Sequence, residues 1–140
     1  MALYRRSLLL VAAAIAPAAV LAQPAPKPAI DGYDAVAYFT LGKPQKGNPA
    51  IFQVWDGRRY LFSTEQHRAL FTADPEKYAP QFSGYCASSL ANGVKVEADP
   101  ANFIISDGRL FLFAGPVPKD LLRDNPQMVG QADTNWRKLK

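Results

Sequence analysis

The stretch IFQVWDGRRYLF, residues 51–62, decides how this chain begins to fold. Two runs rich in aliphatic and aromatic residues, 51–55 and 59–62, flank the pair Asp56-Gly57. Because glycine tolerates a positive φ, an Asp-Gly pair between two such runs is a strong signal for a tight turn. The pattern therefore predicts an antiparallel β-hairpin.

A second stretch repeats these features later in the chain. Residues 103–105 and 109–113 flank Asp107-Gly108, and the residue types that follow the turn resemble those of the first hairpin. Asp-Gly turns between apolar runs recur wherever a hairpin covers a core. We therefore predict a second hairpin, and we infer no duplication from this likeness.

Helical patterns lie between and after the hairpins. Ser63 with Gln66 three residues on resembles a capping box and predicts a helix over 64–73, which ends where Asp74 precedes Pro75. Strands followed by helices without regular alternation predict an α+β fold, a small single domain with two β-hairpins and several short helices. The other helices that the pattern predicts are 82–91, 118–123 and 128–139.

The first 22 residues have the three parts of an export signal. Arg5 and Arg6 are positive, an apolar run continues to Leu21, and small residues precede a predicted cleavage site after Ala22. A serine and two leucines follow the arginines, which fits a twin-arginine signal, and an ordinary positive n-region is the alternative. We predict a periplasmic protein of a Gram-negative-type bacterium, with no stable membrane insertion after cleavage.

Removal of the signal leaves a Pro-rich leader, 23–29, and one domain, 30–140. The whole chain has 16 basic and 12 acidic residues, and two of the basic ones lie in the signal, which leaves a net charge of +2. No cluster of basic residues is present, so the composition argues against a nucleic-acid partner. The oligomeric state cannot be read from this composition.

Cys86 is the only cysteine, so an exported chain of this kind has no internal disulfide. The thiol is then buried, a ligand, reactive, or paired with another chain. A cysteine near a helix start has a lowered pKa, and His67 could act as its base. Because no motif supplies an orienting group or an oxyanion hole, a thiol-dependent enzyme is the least favoured interpretation.

Three segments together resemble the exported branch of the YHS domain family, over roughly 30–139. They are GYDAVAYF at 32–39, YLFS at 60–63 followed by His67 and Phe71, and DPEKYAPQFSGYCA at 74–87. The resemblance implies a small α+β domain. Its better-known relatives accompany heavy-metal transporters and are thought to bind metal through cysteines, whereas the exported branch is largely without an assigned function.

The chain departs from the metal-binding pattern of those relatives. Where they carry two cysteines four residues apart, this chain has Ser63 and His67, and Leu61 replaces the histidine that helps to name the family. Cys86, His67 and Asp34 remain as candidate metal ligands. A thiolate and an imidazole suit copper or zinc, although a closed structural zinc site needs four ligands. The alternative is that His67 and Cys86 are structural, with Cys86 acting as a small buried hydrophobe.

Tyrosines are concentrated in the same segments. Tyr33, Tyr38 and Tyr85 would line a pocket for a cofactor or small ligand if they converge, and core packing is the alternative. The sequence therefore predicts an exported YHS-like binding or accessory protein that binds copper or zinc. The alternative is a metal-free module that binds a small ligand or a protein partner.

Overall fold

The computed structural model describes residues 12–21 and 23–140. The segments 12–21 and 23–28 form no helix or strand. The arginine pair of the predicted signal and Ala22, at the predicted cleavage site, lie outside the described residues. Within the part that is described, no helix has the length and apolar character that crossing a membrane requires.

Two antiparallel hairpins and six short helices form the described chain, which confirms the predicted α+β fold. The strands are β1 (Asn48–Trp55), β2 (Arg58–Phe62), β3 (Asp99–Ser106) and β4 (Arg109–Phe113). The helices are α1 (Ala37–Thr40), α2 (Glu65–Ala73), α3 (Pro75–Tyr78), α4 (Ala87–Ala91), α5 (Leu121–Asp124) and α6 (Gln127–Leu139).

The same turn precedes each hairpin. It is a 3₁₀ turn, Ala29–Gly32 in one case and Gln81–Gly84 in the other. The last three residues of each turn have positive φ, namely 53°, 49° and 82° in the first and 58°, 53° and 84° in the second. The next residue, Tyr33 or Tyr85, then pairs with the segment that leads into the hairpin.

The hairpins also share one register. Asn48 pairs with Phe62 and Asp99 pairs with Phe113, and in both hairpins an irregularity follows before regular pairing resumes. Both strands open with an Asx-Pro-Ala sequence whose Asx side chain accepts the N–H two residues on, at 2.9 Å. The likeness therefore extends well beyond the Asp-Gly turns. We call residues 28–63 the first repeat and 80–114 the second repeat.

Burial holds the unusual turns in place. Ile30 and Phe82 occupy the first positive-φ position of each turn, a conformation that costs an L-residue about 1–2 kcal/mol. Both side chains are buried, and burying an Ile or Phe side chain contributes about 1.5–3 kcal/mol. The buried side chain therefore offsets the strain at its own position, and Asp31 and Ser83 add a second strained residue to each turn.

Strand β4 separates two hydrophobic clusters. Leu110 and Leu112 pack in the first cluster, whereas Phe111 and Phe113 pack in the second. Because successive side chains of a strand point to opposite faces, this alternation buries both faces of β4. Strand β4 therefore contacts α3 on the side of the first cluster and α4 on the side of the second.

The predicted start of α2 is wrong by one residue. Thr64, not Ser63, caps the helix, and its side chain accepts the N–H of His67. Ser63 fails as the cap because its hydroxyl donates to Asp34 Oδ2 at 2.7 Å. Ser63 therefore bonds to Asp34, 29 residues away in the chain, instead of capping the helix that follows it.

The predicted helix over 82–91 is also corrected. Positive φ at Phe82 and Ser83 interrupts it, and only α4 is helical, with Cys86 as its N-cap residue. Phe82, Cys86 and Leu90 nevertheless lie in one buried cluster, as their spacing predicts. The turn and the short helix, rather than one continuous helix, bring them together.

Candidate functional site

The carboxylate of Asp34 is fully buried and lies at the centre of a polar cluster. Its Oδ1 accepts the backbone N–H groups of Val36 and Ala37, at 2.9 and 3.3 Å. Its Oδ2 accepts the N–H and the hydroxyl of Ser63, at 2.8 and 2.7 Å, and lies 2.6 Å from His67 Nδ1. A buried carboxylate requires such donors because burial removes its water. Asp34 thereby ties the first turn to the end of β2 and to α2.

His67 is the only histidine of the sequence, and each of its ring nitrogens has a hydrogen-bond partner. Its Nδ1 faces Asp34, and its Nε2 lies 3.0 Å from Thr40 Oγ1, with the side chain 13% exposed. Thr40 Oγ1 also lies 3.3 Å from the carbonyl oxygen of Val36. A neutral ring accepts the Thr40 proton at Nε2, whereas a protonated ring donates to Thr40, which then donates to Val36. Nε2 is therefore the ring nitrogen that can change partner.

The three predicted metal ligands do not form one site, because Cys86 lies apart from Asp34 and His67. The structure brings Asp34 and His67 into direct contact, whereas the sulfur of Cys86 has its polar contacts with the serines of α4 and with Ala114. Across 12–21 and 23–140, no group of three or more His, Cys, Asp and Glu side chains is arranged to hold a metal ion. The cluster around Asp34 accordingly offers one imidazole nitrogen.

Cys86 occupies the position in the second repeat that Asp34 occupies in the first. The backbone N–H of each residue donates to a carbonyl in the loop before its hairpin, Gln45 for Asp34 and Val96 for Cys86, both at 2.8 Å. Each side chain then accepts the N–H three residues on and the N–H that follows the second strand of its hairpin. The two repeats therefore build the same set of backbone donors.

The pKa of the Cys86 thiol is lower than its ordinary value. Burial opposes ionisation and is the largest single influence, but hydrogen bonds from Ser88, Ser89 and the N–H of Ala114 together outweigh it. The Sγ atom lies 3.2 Å from Ser88 Oγ. This direction agrees with the lowered pKa that a position near a helix start predicts, and its cause is the set of hydroxyl and backbone donors around the sulfur.

The three tyrosines have largely structural contacts. Tyr38 is buried and donates its hydroxyl to the carbonyl of Pro100 at 2.7 Å, and burial raises its pKa. Tyr33 and Tyr85 are equivalent in the two repeats, and each has a lysine ammonium over its ring, at 4.4 and 5.5 Å from the ring centre. Their contacts agree with core and surface packing, the alternative that the sequence left open.

Sequence reasoning missed Thr40 as a member of the Asp34 cluster and predicted a different contact for Ser63. Thr40 carries no motif and lies 27 residues from His67 in the chain, so no local signal connects the two. Ser63 was assigned to a helix cap, although its position four residues before His67 is compatible with a shared partner. Only the packing of the first turn against α2 reveals both roles.

Comparison with known proteins finds no match. No family model, no curated protein and no solved structure is significantly similar to this chain. The resemblance to the YHS family stays a prediction. The contacts around Asp34 and the surfaces of the fold are therefore the features that bear on function.

Proposed function

We propose that this chain is an exported binding or accessory protein of the YHS type that binds copper or zinc through Nε2 of His67. The observation that supports this proposal is the 2.6 Å contact between His67 Nδ1 and the buried Asp34 carboxylate. A histidine that ligates a metal almost always donates its other ring N–H to a carboxylate or carbonyl, which orients the ring. Imidazole nitrogen suits both copper and zinc.

A metal ion at this site would keep several coordination positions free of ligands from this chain. The oxygens of Asp34 already accept four hydrogen bonds besides the contact with His67, so the carboxylate has little capacity left for a metal. His67 would supply one ligand, and the other positions would be filled by water or by a second protein. This arrangement fits an accessory protein that shares an ion with a partner better than one that stores it.

Metal titration of the mature protein tests the proposal. We expect calorimetry with Cu²⁺ and Zn²⁺ to show one site that is lost in His67→Gln. In Asp34→Asn, we expect metal affinity to fall by roughly 10–100-fold, the usual effect of losing an outer carboxylate. Cys86→Ser is the matched control and should bind normally. Equal affinity in the parent and in a folded His67→Gln variant would contradict the proposal.

A second candidate is a metal-free binding module in which Asp34 and His67 only stabilise the fold. It is favoured by the observation that both ring nitrogens have protein partners, Asp34 and Thr40. Thr40→Val separates the two candidates because it removes the partner of Nε2. Unchanged or tighter metal binding supports a ligating His67, whereas lower stability with no metal binding supports the structural role.

A further inference from the structure

A cleft of about 330 Å³ lies where the two repeats and the last helix meet. Cavities of roughly 300–1,000 Å³ are the usual size of small-ligand sites, which combine aromatic walls with a few polar groups. The cleft is separate from the Asp34 cluster, since none of its lining residues belongs to that cluster. Its principal side chains are Trp55, Asp56, Tyr60, Glu76, Trp136 and Lys140.

Both tryptophans of the chain line this cleft. Trp55 packs at the end of β1, with its ring centre 6.1 Å from Phe71 in an edge-to-face arrangement. Trp136 lies on α6, with its ring centre 6.0 Å from Tyr85 and 6.3 Å from Phe82. Each indole is half-buried, so packing fixes the ring while part of it remains accessible. Packing therefore fixes two indole rings in the lining of a cleft whose accessible surface is mostly polar.

The charge of the lining is negative on balance. Asp56 and Glu76 contribute two exposed carboxylates, and Lys140 contributes one ammonium. The ion pairs found within the described residues include neither Asp56 nor Glu76. The two carboxylates are therefore available to a ligand of opposite charge.

We propose that this cleft binds a small organic cation, with the ammonium group between the tryptophan rings and the two carboxylates. Cations are attracted to the face of an aromatic ring, and tryptophan is the strongest partner. Lys95 already places its ammonium 5.1 Å from the centre of the Trp136 ring, so this ring accepts a cation within the fold itself. The proposal goes beyond the metal-binding function and does not depend on it.

The two tryptophans provide the signal for the test. Choline is titrated into the mature protein while tryptophan emission is recorded, and 3,3-dimethylbutan-1-ol, its uncharged analogue of the same shape, is titrated in parallel. We expect a saturable change with choline and a much weaker response with the alcohol. No saturable change, or equal affinity for the two compounds, would overturn the proposal.

Variants locate the site. Asp56→Asn with Glu76→Gln should weaken choline binding by roughly 2–30-fold, because each exposed carboxylate contributes a modest electrostatic attraction. Asp107→Asn is the matched control, since Asp107 holds the same position in the second hairpin with nearly the same φ, 51° against 48°. Unchanged affinity in the double variant, or an equal loss in the control, would refute a site at this cleft.

Different variants test the metal site at His67 and the cation site in the cleft, so either proposal can be contradicted without the other. His67→Gln should leave choline binding unchanged, since His67 is not part of the cleft lining. Lys95 does not line the cleft, but Lys95→Gln should tighten choline binding modestly, because it removes a positive charge close to the Trp136 ring. Weaker choline binding in a folded Lys95→Gln variant would contradict the placement of the ligand beside that ring.

Discussion

The two repeats build the same turn, the same hairpin register and the same converging N–H groups, yet they place different side chains among those donors. The first repeat holds the carboxylate of Asp34, which also recruits the hydroxyl of Ser63 and the imidazole of His67. The second repeat holds the thiol of Cys86, which recruits only serine hydroxyls. The backbone donors therefore belong to the repeat, whereas one side chain decides whether a charged cluster forms around them.

The difference has an energetic consequence. A buried carboxylate is costly unless several donors surround it, whereas a buried thiol behaves as a small hydrophobe. Asp34 accordingly depends on its partners from β2 and α2, and Cys86 depends mainly on packing in the second cluster. We expect the first repeat to be sensitive to polar substitutions to which the second repeat is nearly indifferent.

The largest expected effect is that of Asp34→Ala. The variant leaves the buried N–H groups of Val36 and Ala37 and the imidazole of His67 without their acceptor. Each buried donor left without an acceptor costs about 1–3 kcal/mol, so with several such donors we expect a loss of about 3–5 kcal/mol in the free energy of unfolding measured with urea. If Asp34→Ala lowered the free energy of unfolding no more than Cys86→Ala does, positions 34 and 86 would contribute equally to stability.

Ser63→Ala should have an intermediate effect. It makes the first repeat resemble the second, where Ala114 holds the corresponding position after the hairpin. A hydrogen bond to a charged group contributes about 1.5–3 kcal/mol, and we expect a loss near the lower end because Ser63 is only half-buried. Urea unfolding measures it, and Thr64→Ala, which removes only the cap of α2, is the control. A neutral Ser63→Ala would mean that Asp34 is satisfied without the hydroxyl.

Cys86→Ala should cost less than either change. The substitution removes one buried atom from the second cluster, and the N–H groups of Ser89 and Ala114 lose only a weak sulfur acceptor. Its cost should be about 1 kcal/mol, close to that of one buried methylene group. Thermal unfolding of the variant, compared with the parent, measures it. A loss comparable to that of Asp34→Ala would mean that Cys86 carries a charge in the folded protein.

The smallest expected effect is a shift in thiol ionisation. Because hydrogen bonds lower the pKa of Cys86, the ultraviolet absorbance of its thiolate, taken as the difference from Cys86→Ala, should reach its midpoint at a lower pH in the folded chain than in urea. The lowered pKa also stabilises the fold, fully above the thiol pKa of the unfolded chain, and this contribution is lost as the pH falls through the folded value. Ser88→Ala should raise the midpoint, and Ser63→Ala should not. A folded midpoint at or above the unfolded one would contradict this.

Local patterns account for most of the secondary structure that was predicted. Asp56-Gly57 and Asp107-Gly108 mark the hairpin turns, and Asp74 before Pro75 marks the end of α2. These signals work because turn and cap preferences depend on neighbouring residues. The prediction over 82–91 fails because Phe82 adopts a positive φ that only its buried environment stabilises.

The sequence by itself determined the two hairpins, the α+β class and the isolation of one cysteine and one histidine. Only the tertiary structure decided that His67 lies against Asp34, that Cys86 occupies the equivalent position in the other repeat, and that the two tryptophans line one cleft. Such contacts join residues 33 or more positions apart, and no local preference encodes them. They arise when burial of apolar surface packs the repeats together and buried polar groups must find partners within the chain.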